Sequence, residues 1–248
     1  MKGWAIARLY PDPHIRPSSD VDLCVRRADY RAARVALAHP SDRILPVDLH
    51  RGFGTLDEED EAILFRRSVL VDCSGVPMRV LAPEDHLRVL CYHMLRHGAS
   101  RPLWLCDVAL ALEVRPPDFD WTRCLGPSPR VANWVTCAIG LARRLLGARV
   151  HDTPLSAHAG RLPRWLAPTV LRQWGQERRP LIPLAGHLRH PGRLLAEALA
   201  HWPNGVQSTV ALGRPFNDWP RLPYQVAASV RGAVRFVRDA ARRRRPDE

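Results

Sequence analysis

Apolar and polar positions alternate in short bursts over the first third of the chain and recur at helical spacing after it. Residues 21–25 (VDLCV) alternate apolar residues with Asp22 and Cys24, which predicts a strand. Residues 28–38 carry apolar positions three to four apart and stop before Pro40, as a helix does. Residues 44–50 (ILPVDLH) read as a second strand, with Pro46 placing it at an edge or a strand start. Residues 57–65 are acidic in front and apolar behind, the pattern of a short helix whose first turn faces its own dipole. Two further strands are expected at 69–73 and 78–81, joined by a turn at Ser74-Gly75. The pattern changes at Pro83, where PEDHLRVLCYHMLRH opens with a proline at the first helical position and carboxylates in the first turn. From there only helices are expected, over 84–97, 102–113, 129–146, 163–176, 191–201 and 223–244, with prolines supplying most of the punctuation. The fold class is therefore α+β: residues 1–82 form a mixed sheet with helices, and residues 83–248 an all-helical domain.

Composition narrows this only slightly. With 248 residues, 46% hydrophobic and 25% charged, the chain can bury one large core or two small ones, which excludes disordered and collagen-like classes. The net charge of +12 invites a nucleic-acid partner. Lys2 is the sole lysine, however, so the excess is arginine and looks like codon choice in a GC-rich genome. Nucleic acid is kept as a minor alternative, and phosphate-bearing partners remain compatible with arginine forks. The six cysteines (Cys24, Cys73, Cys91, Cys106, Cys124, Cys137) are scattered without a C-x-x-C pair, which suggests reduced thiols and a cytoplasmic location. Asp12, Asp20 and Asp22 follow the short apolar start too soon for a signal peptide. No apolar run approaches the roughly 18 residues of a membrane span, so no membrane association is expected.

The chemistry concentrates in residues 2–25. Asp20 and Asp22 are separated by one residue on an expected strand, so alternation sends both side chains to the same face. Two carboxylates that close repel unless a cation lies between them, and hard oxygen ligands suit Mg²⁺ with its shared phosphate oxygens. The preceding loop offers Arg16, Ser18 and Ser19 as donors, and Asp48 on the next strand brings a third carboxylate. Three carboxylates on one patch are the plan of a two-metal phosphoryl or nucleotidyl transfer site. A bare D-x-D is more often an exposed strand face. The weight comes from the ordered set of glycine, polar loop, D-V-D, helix and V-D-L-H.

That set resembles the minimal nucleotidyltransferases of the DNA polymerase β superfamily, and most of all their group of uncharacterised nucleotidyltransferases. The matching residues are Lys2-Gly3, Leu9-Tyr10, Arg16, Asp20 to Val25 and Val47-Asp48-Leu49-His50. The likeness continues through P-E-D-H-L, His93, His97, W-L-C-D-V-A-L-A-L (104–112) and Asp120-Trp121, covering about residues 2–150. The resemblance implies a polymerase β-like core over 1–82. Asp20, Asp22 and Asp48 would be its catalytic metal ligands for two Mg²⁺ ions, with an NTP as donor. Gly3, Lys2, Arg16, Ser18 and Ser19 would bind the nucleotide, and His50 would contact the acceptor or orient Asp48. Two departures stand out: Lys2-Gly3-Trp4 occupies the place of the usual Gly-Gly or Gly-Ser, and the sequence opens on the motif itself, so either the true start lies further upstream or the core is a trimmed one with an incomplete sheet.

The remaining candidates have plainer readings. His93 and His97 are i, i+4 with His86 nearby, but no glutamate or cysteine pair completes a zinc site, and packed histidines are expected. Asp107 interrupts an apolar helix and needs a partner, with Arg96, Arg101 or a neighbouring histidine the expected one. The eight tryptophans are expected in the core, and Arg242 to Arg245 in a solvated tail. The sequence thus reads as a Mg²⁺-dependent transferase of NMP from NTP to an acceptor hydroxyl or other nucleophile, releasing pyrophosphate. The acceptor is expected to be a small molecule or a peptide, because the resemblance extends to bacterial peptide natural-product biosynthesis. The alternative is an inactive scaffold of the same fold that binds a peptide, protein or RNA.

Overall fold

The computed structural model describes residues 3–18, 20–38, 46–53, 56, 59–73, 75–176 and 202–243. Lys2, Ser19, Ser74, the starts of the expected strand at 44 and helix at 57, the helix at 191–201 and the tail beyond 243 lie outside them. Among the described residues the order is α1 (Trp4–Ala7), a 3-10 turn (Pro13–Ile15), β1 (Val21–Val25), α2 (Tyr30–Ala38), β2 (Val47–Arg51), α3 (Glu61–Arg67), β3 (Val69–Cys73), β4 (Val76–Val80) and α4 (Pro83–Arg96). Then come α5 (Pro102–Glu113), α6 (Trp121–Leu125), α7 (Pro129–Leu146), α8 (Leu166–Trp174), α9 (Gly205–Ala211) and α10 (Leu222–Arg243). The protein is mixed α and β, with two small sheets and ten α-helices among the described residues.

β1 and β2 pair in parallel with Asp22 opposite Asp48, while β3 and β4 form an antiparallel hairpin. Pro46 has no N–H to give the ladder, so β2 starts at Val47, yet the Pro46 carbonyl accepts the Val21 N–H at 2.9 Å. The third helix starts later than its acidic front suggested. Asp60 caps it by accepting from the Ala62 N–H at 2.9 Å, and Arg66 and Arg67 sit at its C-terminal end.

The chain divides into two compact units, one of Met1–His93 with Leu103–Arg161 and one of Met94–Pro102 with Leu162–Glu248. Helices α5 to α7 belong to the same unit as the strands. In the first unit Phe53, Leu56, Leu64, Leu81 and Val89 form a core against which Cys24 and Phe65 pack. Arg88 is buried at the end of α6: its Nε and Nη2 donate to the carbonyls of Cys124 and Arg123 at 2.9 Å each, and its Nη1 reaches Glu59 at 3.3 Å. Those carbonyls are ones that a helix end leaves unpaired. Gly126 follows with φ 68° and ψ 178°, and a Cβ there would overlap Arg88 Nη2.

In the second unit the Trp174 indole donates to the Ala99 carbonyl and Asn204 Nδ2 to that of Gly98, each at 2.8 Å. Asn204 also caps α9 by accepting from the Gln207 N–H. None of the six cysteines is in a disulfide, and no helix among the described residues is long and apolar enough to cross a membrane.

Candidate active site

The parallel register decides the site. Asp22 and Asp48 are directly opposed across β1 and β2, and His50, two residues on from Asp48, shares its face. His50 Nε2 lies 2.7 Å from Asp22 Oδ1 and 3.2 Å from Asp48 Oδ2. One donor atom from each of the three lies within 4.8 Å of the others. Asp22 is buried and Asp48 is exposed, so the cluster has a protein side and an open side. Carboxylates this close repel, and the imidazole occupies the place where a positive charge or a proton donor relieves that repulsion. Two carboxylates facing one opening are hard donors suited to a divalent cation, with His50 able to turn with them or add a nitrogen. The residues present therefore fit the metal that the sequence implied.

Asp20 is not part of this cluster. It lies in a bend one residue before β1, where strand alternation does not yet apply, and its carbonyl accepts from Ser18 Oγ at 2.9 Å. Gly3 is buried with φ 54°, and a Cβ there would come within 3.1 Å of Ser18 Oγ and 3.5 Å of the Asp20 carbonyl oxygen. Glycine at this position lets the start of α1 lie against the loop that leads into β1. Beside Asp22 opens a cavity of about 110 Å³ walled by Trp4, Cys24, Phe53, Phe65 and Met78.

Arg16 is held rather than free. Its Nε and Nη2 donate to the two oxygens of Asp107 at 3.0 and 2.7 Å, Nη1 reaches the Pro17 carbonyl, and Tyr10 donates to Asp107 Oδ1 at 2.9 Å. Asp107 is therefore paired with Arg16, with Tyr10 beside it, a partner other than those the sequence suggested. Burial works against the Arg16 charge, but the hydrogen bond and charge of Asp107 more than offset it, with Asp22 adding to the effect. Burial and then the Asp107 charge push the Tyr10 phenol well above its ordinary range, so it stays a donor. A lone carboxylate in an apolar helix signalled the need for a partner. Its identity, 91 residues away, had no local signal.

Removing Asp107 strands a buried guanidinium, so Asp107→Ala is expected to lower stability by about 3–5 kcal/mol. Urea denaturation followed by circular dichroism checks this, and a loss under about 1 kcal/mol would mean that Arg16 finds water or another partner.

His86, His93 and His97 form no metal-competent group among the described residues, where the one such group is Asp22, Asp48 and His50. His93 instead packs edge-on to Trp104 at 4.8 Å, the bland role expected of it.

A family model described as uncharacterised nucleotidyltransferase matches residues 1–147, more than half of the chain. The chain belongs to this family. Nucleotidyl transfer is the class of chemistry that membership supports, with an NTP as the implied substrate. No curated protein and no solved structure matches this chain significantly.

Proposed function

We propose that this nucleotidyltransferase moves an NMP from an NTP to an acceptor hydroxyl or other nucleophile and releases pyrophosphate, using Mg²⁺. The observation that carries the reading is the opposed pair Asp22 and Asp48, joined by His50 on a strand register inside the family-matched segment. Asp22 and Asp48 would hold the metal, with Asp20 joining them on the strength of the resemblance alone. Bound there, Mg²⁺ would offset charge on the phosphates of the NTP. His50 orients both carboxylates through the contacts it already makes. Gly3 keeps the loop of Ser18 close, with Lys2 and Ser19 as further phosphate donors by resemblance. Arg16 contributes its charge from a fixed position, because two of its nitrogens are committed to Asp107. The cavity beside Asp22 receives an apolar part of a substrate. The polymerase β-like core and an all-helical C-terminal domain that serves acceptor recognition complete this reading, with the protein working in the cytoplasm.

The test is calorimetric titration of each NTP with and without Mg²⁺, on wild type and on Asp22→Asn/Asp48→Asn. Binding that needs the metal and disappears in the variant is the expected result, and the preferred NTP identifies the base. A folded wild type that binds no NTP would overturn the proposal in favour of a non-catalytic scaffold.

A further inference from the structure

The second unit contains a cleft of about 590 Å³ built from residues beyond the family-matched segment. Its walls combine three chemistries beside one carboxylate, Asp218, which accepts from the Arg164 N–H. Trp202 and Trp219 present indoles that are 41% and 70% exposed, against the expectation that tryptophans in this chain are core residues. Arg172 contributes an exposed cation; Gln225 gives one N–H to the Pro203 carbonyl at 2.8 Å and Gln176 Oε1 accepts from Gln173 at 3.5 Å, and an amide group has further donor and acceptor capacity beyond one such bond.

The tryptophan at the rim is presented by a fixed loop. Arg221, itself buried, donates Nε to the Trp219 carbonyl at 2.8 Å, Nη2 to the Asn217 carbonyl at 2.8 Å and Nη1 to Thr209 Oγ1 at 3.2 Å. Its guanidinium lies over the rings of Trp165 and Tyr224, 4.8 and 4.4 Å from their centroids. Asn217 Oδ1 accepts the Trp219 N–H at 3.2 Å, and Asp218 accepts the Arg164 N–H. Arg221 thus holds the Trp219 carbonyl through Nε and braces the start of the same loop through Asn217, with Thr209 of α9 as its third anchor. The exposed indole gains nothing for the core by this, whereas a rigid aromatic surface reduces the ordering cost of stacking a ligand.

We propose that this cleft binds a nucleotide, either free or at the end of an RNA strand, independently of the acidic cluster. An indole face stacks a base, side-chain amides hydrogen-bond its edge, and an arginine takes its phosphate, so the three wall chemistries match the three parts of one ligand. A neutral glycan would leave Arg172 without a counterpart.

The experiment uses the full chain in EDTA, so that metal-dependent binding at Asp22 and Asp48 does not contribute. AMP, UMP, a fluorescein-labelled single-stranded ribodecamer and a neutral oligosaccharide are titrated against wild type, Trp219→Ala, Trp219→Phe, Arg172→Gln and Asp22→Asn/Asp48→Asn. Wild type and the aspartate variant are expected to bind nucleotide or ribodecamer equally, which separates this cleft from the proposed transfer site. Trp219→Ala is expected to weaken binding about tenfold, with Trp219→Phe restoring most of it. Arg172→Gln should weaken binding and flatten its salt dependence. Similar affinity for mononucleotide and ribodecamer assigns the site to free nucleotides, and a large preference for the ribodecamer assigns it to RNA. The proposal is overturned if no nucleotide probe binds in EDTA, if Trp219→Ala binds as wild type does, or if the oligosaccharide is preferred.

Discussion

Asp22→Asn is expected to lower turnover on the order of 10³-fold or more while the protein remains folded. The amide keeps the shape of the carboxylate, and its oxygen can still accept from His50 Nε2, which lies 2.7 Å away in the native site. What it loses is the negative charge that a divalent cation requires. Asp48→Asn should act in the same direction with even less structural cost, since that side chain is 57% exposed. Pyrophosphate release under saturating NTP and Mg²⁺, measured beside a thermal melt, separates the two effects. If either variant retains more than about a tenth of wild-type turnover, the opposed pair is not where the chemistry occurs.

A stability effect as large as that of Asp107→Ala is expected at a glycine outside the acidic cluster. Gly126→Ala should cost about 3–5 kcal/mol, for two reasons that act together. Its φ of 68° and ψ of 178° fall in a region essentially reserved for glycine. In addition, the new methyl would occupy the space of the Arg88 guanidinium, which is 1% exposed and has no water to retreat into. Displacing Arg88 releases the carbonyls of Arg123 and Cys124 and leaves Glu59 with Arg67 as its counter-charge among the described residues. Equilibrium denaturation in urea gives the number. A change below about 1 kcal/mol would show that Arg88 moves aside without losing its partners.

The sequence carried most of the local structure because its signals are local. Helices α5 and α7 begin and end where proline, apolar spacing and the following breaker put them, and β1 and β3 match their alternation residue for residue. Short elements escaped. Helix α6 has five residues and α9 seven, too few for a period to show, and α9 begins at an asparagine cap in place of a proline. In the site, V-D-L-C-V and V-D-L-H identified strands that bear carboxylates. The sequence did not show that Asp22 faces Asp48 in register, a relation set by the crossover through α2. Nor did it show that Asp20 lies outside the cluster, since alternation fails one residue before a strand begins. Long-range pairs were invisible for the same reason, Arg16 with Asp107 and Arg88 with the end of α6 among them.

The Arg16–Asp107 pair has a consequence for how this protein can be divided. Its carboxylate comes from α5 and its guanidinium from the loop before β1, and each is nearly shielded from solvent. A chain cut at residue 82, where strands give way to helices, would keep Arg16 and Tyr10 but discard the group that neutralises one and accepts from the other. Such a fragment would retain Asp20, Asp22 and Asp48 and still lack the anchor of the loop that precedes them. The unit that can be transplanted intact is therefore larger than the sheet, since a graft of the acidic cluster without α5 leaves Arg16 buried and unpaired.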